Sequence, residues 1–180
     1  VLRAAAENLT PALVELGGKN PVVVFADADI DLAVRDLIEA AFFNNGEACT
    51  AASRVLVHDS IHDQLVDKLT AAVRRVKVGN GADPTTHVGP MVTREHQQRV
   101  LEFIALGKTE GAHIAAEAAL PHEPHLRDGC FVAPTVFTGV RPQMRIAKEE
   151  IFGPVLSVLR FGSFEQAIEI ANGTEFGLVA

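Results

Sequence analysis

The chain has 180 residues, 48% hydrophobic and 22% charged, with a net charge of −7, which is ordinary globular composition and enough length for one core-bearing domain. The acidic balance and the scattered Lys and Arg exclude a nucleic-acid or anionic-membrane surface as the main partner, and no apolar run approaches membrane-spanning length. Two cysteines, Cys49 and Cys130, exclude a disulfide-rich scaffold and fit a reducing, cytoplasmic compartment.

Residues 1–21 are mixed. Val1-Leu2-Arg3-Ala4 has neither an initiating methionine nor the apolar core of a signal peptide, and Gly177-Leu178-Val179-Ala180 has no helix stop or polar tail. Both ends read as cuts, so the chain is expected to be a segment of a longer protein. Ala12 to Leu16 reads as a short apolar strand with Glu15 in its middle. Gly17-Gly18-Lys19-Asn20-Pro21 follows as a flexible corner, with Pro21 standing at the entrance to the next strand. Val22 to Ala26 is a continuous apolar run, typical of a strand buried on both faces. Asp27-Ala28-Asp29 supplies caps and first-turn acids for a helix from Ile30 to Phe43, with Ala33, Leu37, Ala40 and Ala41 on one stripe.

Ser53 to His58 reads as the next strand. Ser60 is expected to cap a helix, with Asp63 three residues on, whose core face is Ile61, Leu65, Leu69, Val73 and Val76. Val78 to Pro84 is a loop. Thr93 caps a helix running to about Gly107, and Ala112 to Ala116 is a candidate strand. Residues 117–130 read as a surface excursion. Phe131 to Phe137 is a strand interrupted by Pro134, which places it at a sheet edge. Glu149 to Pro154 is a corner, Val155 to Phe161 a strand, and Ser163 with Gln166 caps a last helix closed by Gly173. Strands alternating with helices predict an α/β fold: an open, mainly parallel sheet with helices on both faces.

Three corners carry possible chemistry. Phe42-Phe43-Asn44-Asn45-Gly46-Glu47-Ala48-Cys49-Thr50 ends an apolar helical run at a pair that tolerates left-handed backbone. A cysteine just past such a break can sit beside free backbone N–H groups, which stabilise a thiolate and an oxyanion. The same stretch also suits a small buried thiol. Glu15 precedes Gly17-Gly18, and Glu150 precedes Gly153-Pro154. A thiol attacks a carbonyl, one carboxylate activates the water that releases the acyl group, and a second accepts from nucleotide sugar hydroxyls. Taken alone, Glu15 reads sooner as a solvated edge carboxylate than as a base. Glu149 is the solvated partner of Glu150, and Cys130 carries no role. His122 and His125 flank Glu123 and Pro124, and the prolines forbid a helical metal pair, so no metal is expected. His58, His62, His87, His96 and His113 are dispersed and read as surface residues. No complete GxGxxG is present, since Val78-Gly79-Asn80-Gly81 lacks the third glycine.

Leu13-Val14-Glu15-Leu16-Gly17-Gly18-Lys19-Asn20-Pro21 resembles the glutamate signature of the aldehyde dehydrogenase superfamily. Phe42 through Cys49 resembles its cysteine signature, and Lys148-Glu149-Glu150-Ile151-Phe152-Gly153-Pro154 its third motif. They stand in family order, and the likeness runs across the chain through Gly89-Pro90 and Pro134-Thr135-Val136-Phe137. The resemblance implies a single catalytic domain over residues 1–180, cut at both ends, with the dinucleotide-binding part upstream and absent. It implies an NAD(P)-dependent enzyme oxidising an aldehyde to a carboxylic acid, and a homo-oligomer at full length. By resemblance Cys49 is the nucleophile and its N–H an oxyanion donor. Glu15 is the base for the deacylating water, Glu150 the ligand of the nicotinamide ribose, Phe152 the residue packing near that ring, and Leu16 a backbone contact of the nicotinamide amide. NAD and NADP stay open, as does the aldehyde. A CoA-acylating relative, a thiol esterase and a non-catalytic interaction module are the alternatives; Glu15 favours hydrolysis over transfer to CoA.

Overall fold

A computed structural model describes residues 1–180. Five strands form one sheet: β1 (Asn20–Val24), β2 (Ala52–His58), β3 (His113–Glu117), β4 (Thr135–Thr138) and β5 (Val155–Phe161). Their order is β1-β2-β5-β4-β3. The pairs β1·β2, β2·β5 and β4·β5 are parallel, and β3 runs antiparallel to β4. Six helices accompany them: α1 (Leu2–Glu7), α2 (Ile30–Phe42), α3 (His62–Val73), α4 (Arg94–Thr109), α5 (Arg145–Lys148) and α6 (Phe164–Asn172). No helix is long and apolar enough to cross a membrane.

The period-2 alternation of the central strands feeds two cores. Val55 and Val57 of β2, with Leu156 and Val158 of β5, face α2 and α3 through Val34, Leu37, Leu65, Leu69 and Val73. Leu56, Leu159 and Phe161 point to the other side and meet Val100 and Phe103 of α4, Ile146 of α5 and Ile170 of α6. The expected open sheet with helices on both faces is therefore present.

Several local expectations change. Ala12 to Leu16 forms no strand; it is irregular and exposed, because no neighbouring strand offers it a ladder. The first strand begins at Asn20, and Pro21 is tolerated within it because β1 is an edge. Pro134 misled the placement of the strand after it. The proline lies just before β4, so it costs the ladder nothing, and β4 is interior between β5 and β3. On α2 the inward stripe uses Val34 rather than Ala40, which is exposed. Ser60 does not cap α3, whose N-cap is Ile61; the Ser60 hydroxyl bonds His58 Nδ1 at 2.9 Å instead. Thr93 and Ser163 do cap α4 and α6, accepting from the N–H groups of His96 and Gln166.

The topology decides where chemistry can occur. The corners containing Gly17-Gly18, Cys49 and Glu150 immediately precede β1, β2 and β5. Those strands are parallel neighbours, so the corners stand side by side at one end of the sheet. It is the amino end of the strands, whereas ligands of open α/β sheets usually bind at the carboxyl end.

Candidate active site

The cysteine corner is built by a run of left-handed residues. After α2, Asn44, Asn45 and Gly46 all have positive φ, at 48°, 61° and 69°. Asn is among the few side-chain-bearing residues that visit this region readily. Each asparagine is also held by its own amide. Asn44 Nδ2 donates to the Glu47 carbonyl at 2.8 Å, while Asn45 accepts from the Gly89 N–H at 2.8 Å and donates to the Pro90 carbonyl at 2.9 Å. Gly46 is buried, and a Cβ there would overlap the carbonyl of Gly153. The cysteine corner is thus packed directly on the third motif.

Cys49 follows in a turn and is half-buried. Its carbonyl accepts from Asn20 Nδ2 at 2.7 Å, and the Ala51 carbonyl accepts from the same nitrogen at 2.9 Å. The N–H groups of Cys49 and Thr50 donate to no acceptor within the chain. Glu47 turns the other way: its carboxylate accepts from the Val92 N–H at 3.2 Å and lies 3.7 Å from His96 Nε2.

The third motif is held from both sides. Glu150 Oε1 accepts from the Gly18 N–H at 2.9 Å, and the Glu150 carbonyl from Arg99 Nη2 at 3.3 Å. Phe152 adopts φ +60°, unusual for a bulky residue. Its carbonyl lies 2.6 Å from His96 Nε2, and because a carbonyl only accepts, that nitrogen carries a proton. His96 therefore grips Phe152 and faces Glu47, linking the two corners. A cavity of about 20 Å³ between them is lined by Gly18, Gly46, Ala48, Ser53, Glu150 and Phe152. Glu149 faces outward and pairs with Arg145, whose hydrogen bond lowers the carboxyl pKa.

Beneath the Gly17-Gly18 corner lie two buried basic side chains that sequence reasoning missed. Arg54 of β2 is 2% exposed and donates to three carbonyls, those of Lys19 (3.0 Å), Ile170 (2.8 Å) and Ala171 (2.8 Å). It thereby ties the end of α6, where free carbonyls collect, to the corner. Burial lowers its pKa to about 10. Lys19 is 1% exposed, with Nζ unpartnered, and burial followed by the nearby Arg54 charge lowers its pKa to about 7. Glu150 and Glu149 pull that value back up. His62 and His96 correct the reading of all histidines as surface groups: His62 is 6% exposed, and the His96 side chain only 14%.

The other sequence-derived residues fall differently. Glu15 is exposed on the irregular segment before the corner and makes no side-chain hydrogen bond; Leu16 beside it is 61% exposed. The fold brings together Cys49, Glu150, Phe152 and the Gly17–Asn20 corner, and leaves Glu15 and Leu16 at their rim.

The sequence matches the aldehyde dehydrogenase family over residues 1–180. The chain belongs to that family. It is 53% identical over 178 residues to an aldehyde dehydrogenase of Didymella fabae, covering 99% of this chain and 36% of that protein. It is 44% identical to the betaine aldehyde dehydrogenase of Bacillus subtilis, again over 99% of this chain and 36% of that protein. Among solved structures, the betaine aldehyde dehydrogenase of Staphylococcus aureus in complex with NAD+ superposes with a TM-score of 0.90 at 41% identity, over 99% of this chain and 36% of that one. The chain thus spans about 36% of the length of the relatives it matches. In the family context the unforeseen residues are Asn20, Lys19, Arg54 and His96. Lys19 and Asn20 stand inside the glutamate signature, but their roles, like those of Arg54 and His96, come from partners 29 to 117 positions away.

Proposed function

We propose that this chain carries reacting groups of an NAD(P)-dependent aldehyde dehydrogenase, which oxidises an aldehyde to the carboxylic acid. One observation supports this above all: the single corner Gly17–Asn20 touches both the Cys49 turn and the Glu150 carboxylate. A thiol and a sugar-binding carboxylate are thereby set at adjoining positions.

The Cys49 thiolate attacks the aldehyde carbon, and the oxygen that becomes negative accepts from the Cys49 N–H, which is free for it. NAD(P)+, when bound, would supply the acceptor for the hydride on the carbon of the Cys49 thiohemiacetal, whose loss turns that adduct into a thioester on Cys49. Glu15 takes a proton from water, which attacks the thioester carbonyl; the C–S bond breaks and the acid leaves. The exposure of Glu15 suits a base that works on solvent water. Glu150 fits the cofactor ribose: Oε1 is held by Gly18 N–H while Oε2 accepts no hydrogen bond and is free for a hydroxyl. By family resemblance, Phe152 would pack near the nicotinamide ring and the Leu16 backbone would contact its amide.

Because the chain is about a third of its relatives' length, the whole activity belongs to a longer protein that adds the dinucleotide-binding part. The two cysteines suit a reducing, cytoplasmic compartment for that protein, and the family resemblance implies a homo-oligomer.

In that protein Cys49→Ala should lower aldehyde-dependent NADH formation at least about a thousandfold. Glu15→Gln should keep an acyl-enzyme burst while slowing turnover by roughly 10²- to 10⁴-fold. Normal steady-state oxidation by Cys49→Ala would overturn the assignment.

A further inference from the structure

We propose that Asn20 is a positioning residue for the nucleophile, aiming the thiol and the two free N–H groups of the Cys49 turn. The inference rests on reading Cys49 as the nucleophile.

Asn20 opens β1 and is 4% exposed. Its Nδ2 donates to the Cys49 and Ala51 carbonyls at 2.7 and 2.9 Å, across 29 and 31 residues. The amide orientation is unambiguous, because a flip would set Oδ1 against two carbonyl oxygens. Peptide units are planar and trans, so capturing a carbonyl also fixes the N–H on its far side. The Cys49 carbonyl, held by Asn20, turns the Thr50 N–H the opposite way. The Ala48 carbonyl accepts from the Ala51 N–H at 3.0 Å, which likewise turns the Cys49 N–H. Both amides end without an acceptor. Adjacent N–H groups left open in this way make an anion-binding concavity, where a thiolate or an oxyanion is stabilised.

The corner leaves no slack. A Cβ on Gly18 would overlap the Cys49 carbonyl and approach Asn20 Oδ1 to 2.7 Å. Meanwhile Oδ1 itself is buried with no partner. An orphaned acceptor is a cost to folding, so stability alone does not account for an amide here. What the amide supplies is two-fold donation to the turn.

Asn20→Leu removes both donors at similar size and adds no charge, and Asn20→Ser keeps one donor. The readout on the chain itself is the rate at which iodoacetamide alkylates Cys49, followed by peptide-resolved mass spectrometry. We expect Asn20→Leu to slow alkylation at neutral pH roughly tenfold, and Asn20→Ser to fall between. In the longer enzyme, kcat should drop about as much, with KM for NAD unchanged. A wild-type alkylation rate in a folded variant would overturn the proposal, as would loss of the fold in both variants, since Asn20 would then be a folding residue only. Alkylation is independent of aldehyde oxidation. Slowed alkylation alongside an active Cys49→Ala enzyme would sink the reading of Cys49 as the nucleophile, and would leave Asn20 only as the residue that orients the Cys49 turn.

Discussion

The Gly18 N–H donates to Glu150 Oε1 at 2.9 Å, joining residues 132 positions apart. This bond decides where the carboxylate points. Its other oxygen lies against the bare α-carbon of Gly17. One corner therefore orients the proposed ribose ligand, and the next residues of the same corner reach the Cys49 turn through Asn20.

Gly17→Ala tests that arrangement. The new Cβ would overlap Glu150 Oε2. A carboxylate at the end of a rotatable side chain can move, so the melting temperature should change little. The displaced carboxylate should lose its proposed charge-assisted bond to the cofactor ribose, worth about 1.5–3 kcal/mol, so Kd for NAD should rise roughly tenfold or more. Isothermal titration of NAD against the longer enzyme, beside a melting curve, checks both halves. An unchanged affinity would mean that Glu150 does not act from this position.

Gly46→Ala should behave in the opposite way. Here φ is +69° and the Cβ meets the backbone of Gly153 and Pro154, which cannot rotate aside. Left-handed geometry alone costs about 1–2 kcal/mol for an L-residue, and the overlap adds to it. At about 2–4 °C per kcal/mol for a chain of this size, the melting temperature should fall by roughly 10 °C. Differential scanning calorimetry on the chain is sufficient, and a shift near zero would show that the two corners separate easily.

Lys19 sets a pH dependence. Its pKa is about 7 when folded, against 10.5 ordinarily. Between those values the unfolded chain binds a proton that the folded chain does not, so stability rises with pH across this window. Below about pH 7 the amine is charged in both states, and its burial cost is felt in full. Lys19→Met should flatten the rise and stabilise the chain at neutral pH by an amount on the order of a few kcal/mol. Urea midpoints measured from neutral to alkaline pH give the answer; parallel curves for the two proteins would contradict it.

Much of the fold was written locally. The β-branched run before Phe25, the Thr93 and Ser163 caps and the apolar stripe of α3 each depend on neighbours within a few residues. Where local signals competed with tertiary context they misled. Pro134 argued for an edge, but it stands just outside a strand that two others enclose. Ala12 to Leu16 was apolar enough for a strand, yet it has no partner in the sheet.

By itself the sequence determined the alternating α/β pattern, the family, and the identities of Cys49, Glu15, Glu150 and Phe152 as candidates, because short motifs and periodicity are properties of adjacent residues. Only the tertiary structure decided that β2 lies between β1 and β5, and hence that three corners scattered over some 130 positions share one end of the sheet. It alone placed Asn20 on the Cys49 carbonyl, His96 on Phe152 and Arg54 under Lys19. Such contacts are made by packing between distant segments, and a hydrogen bond carries no trace in the residues that flank either partner.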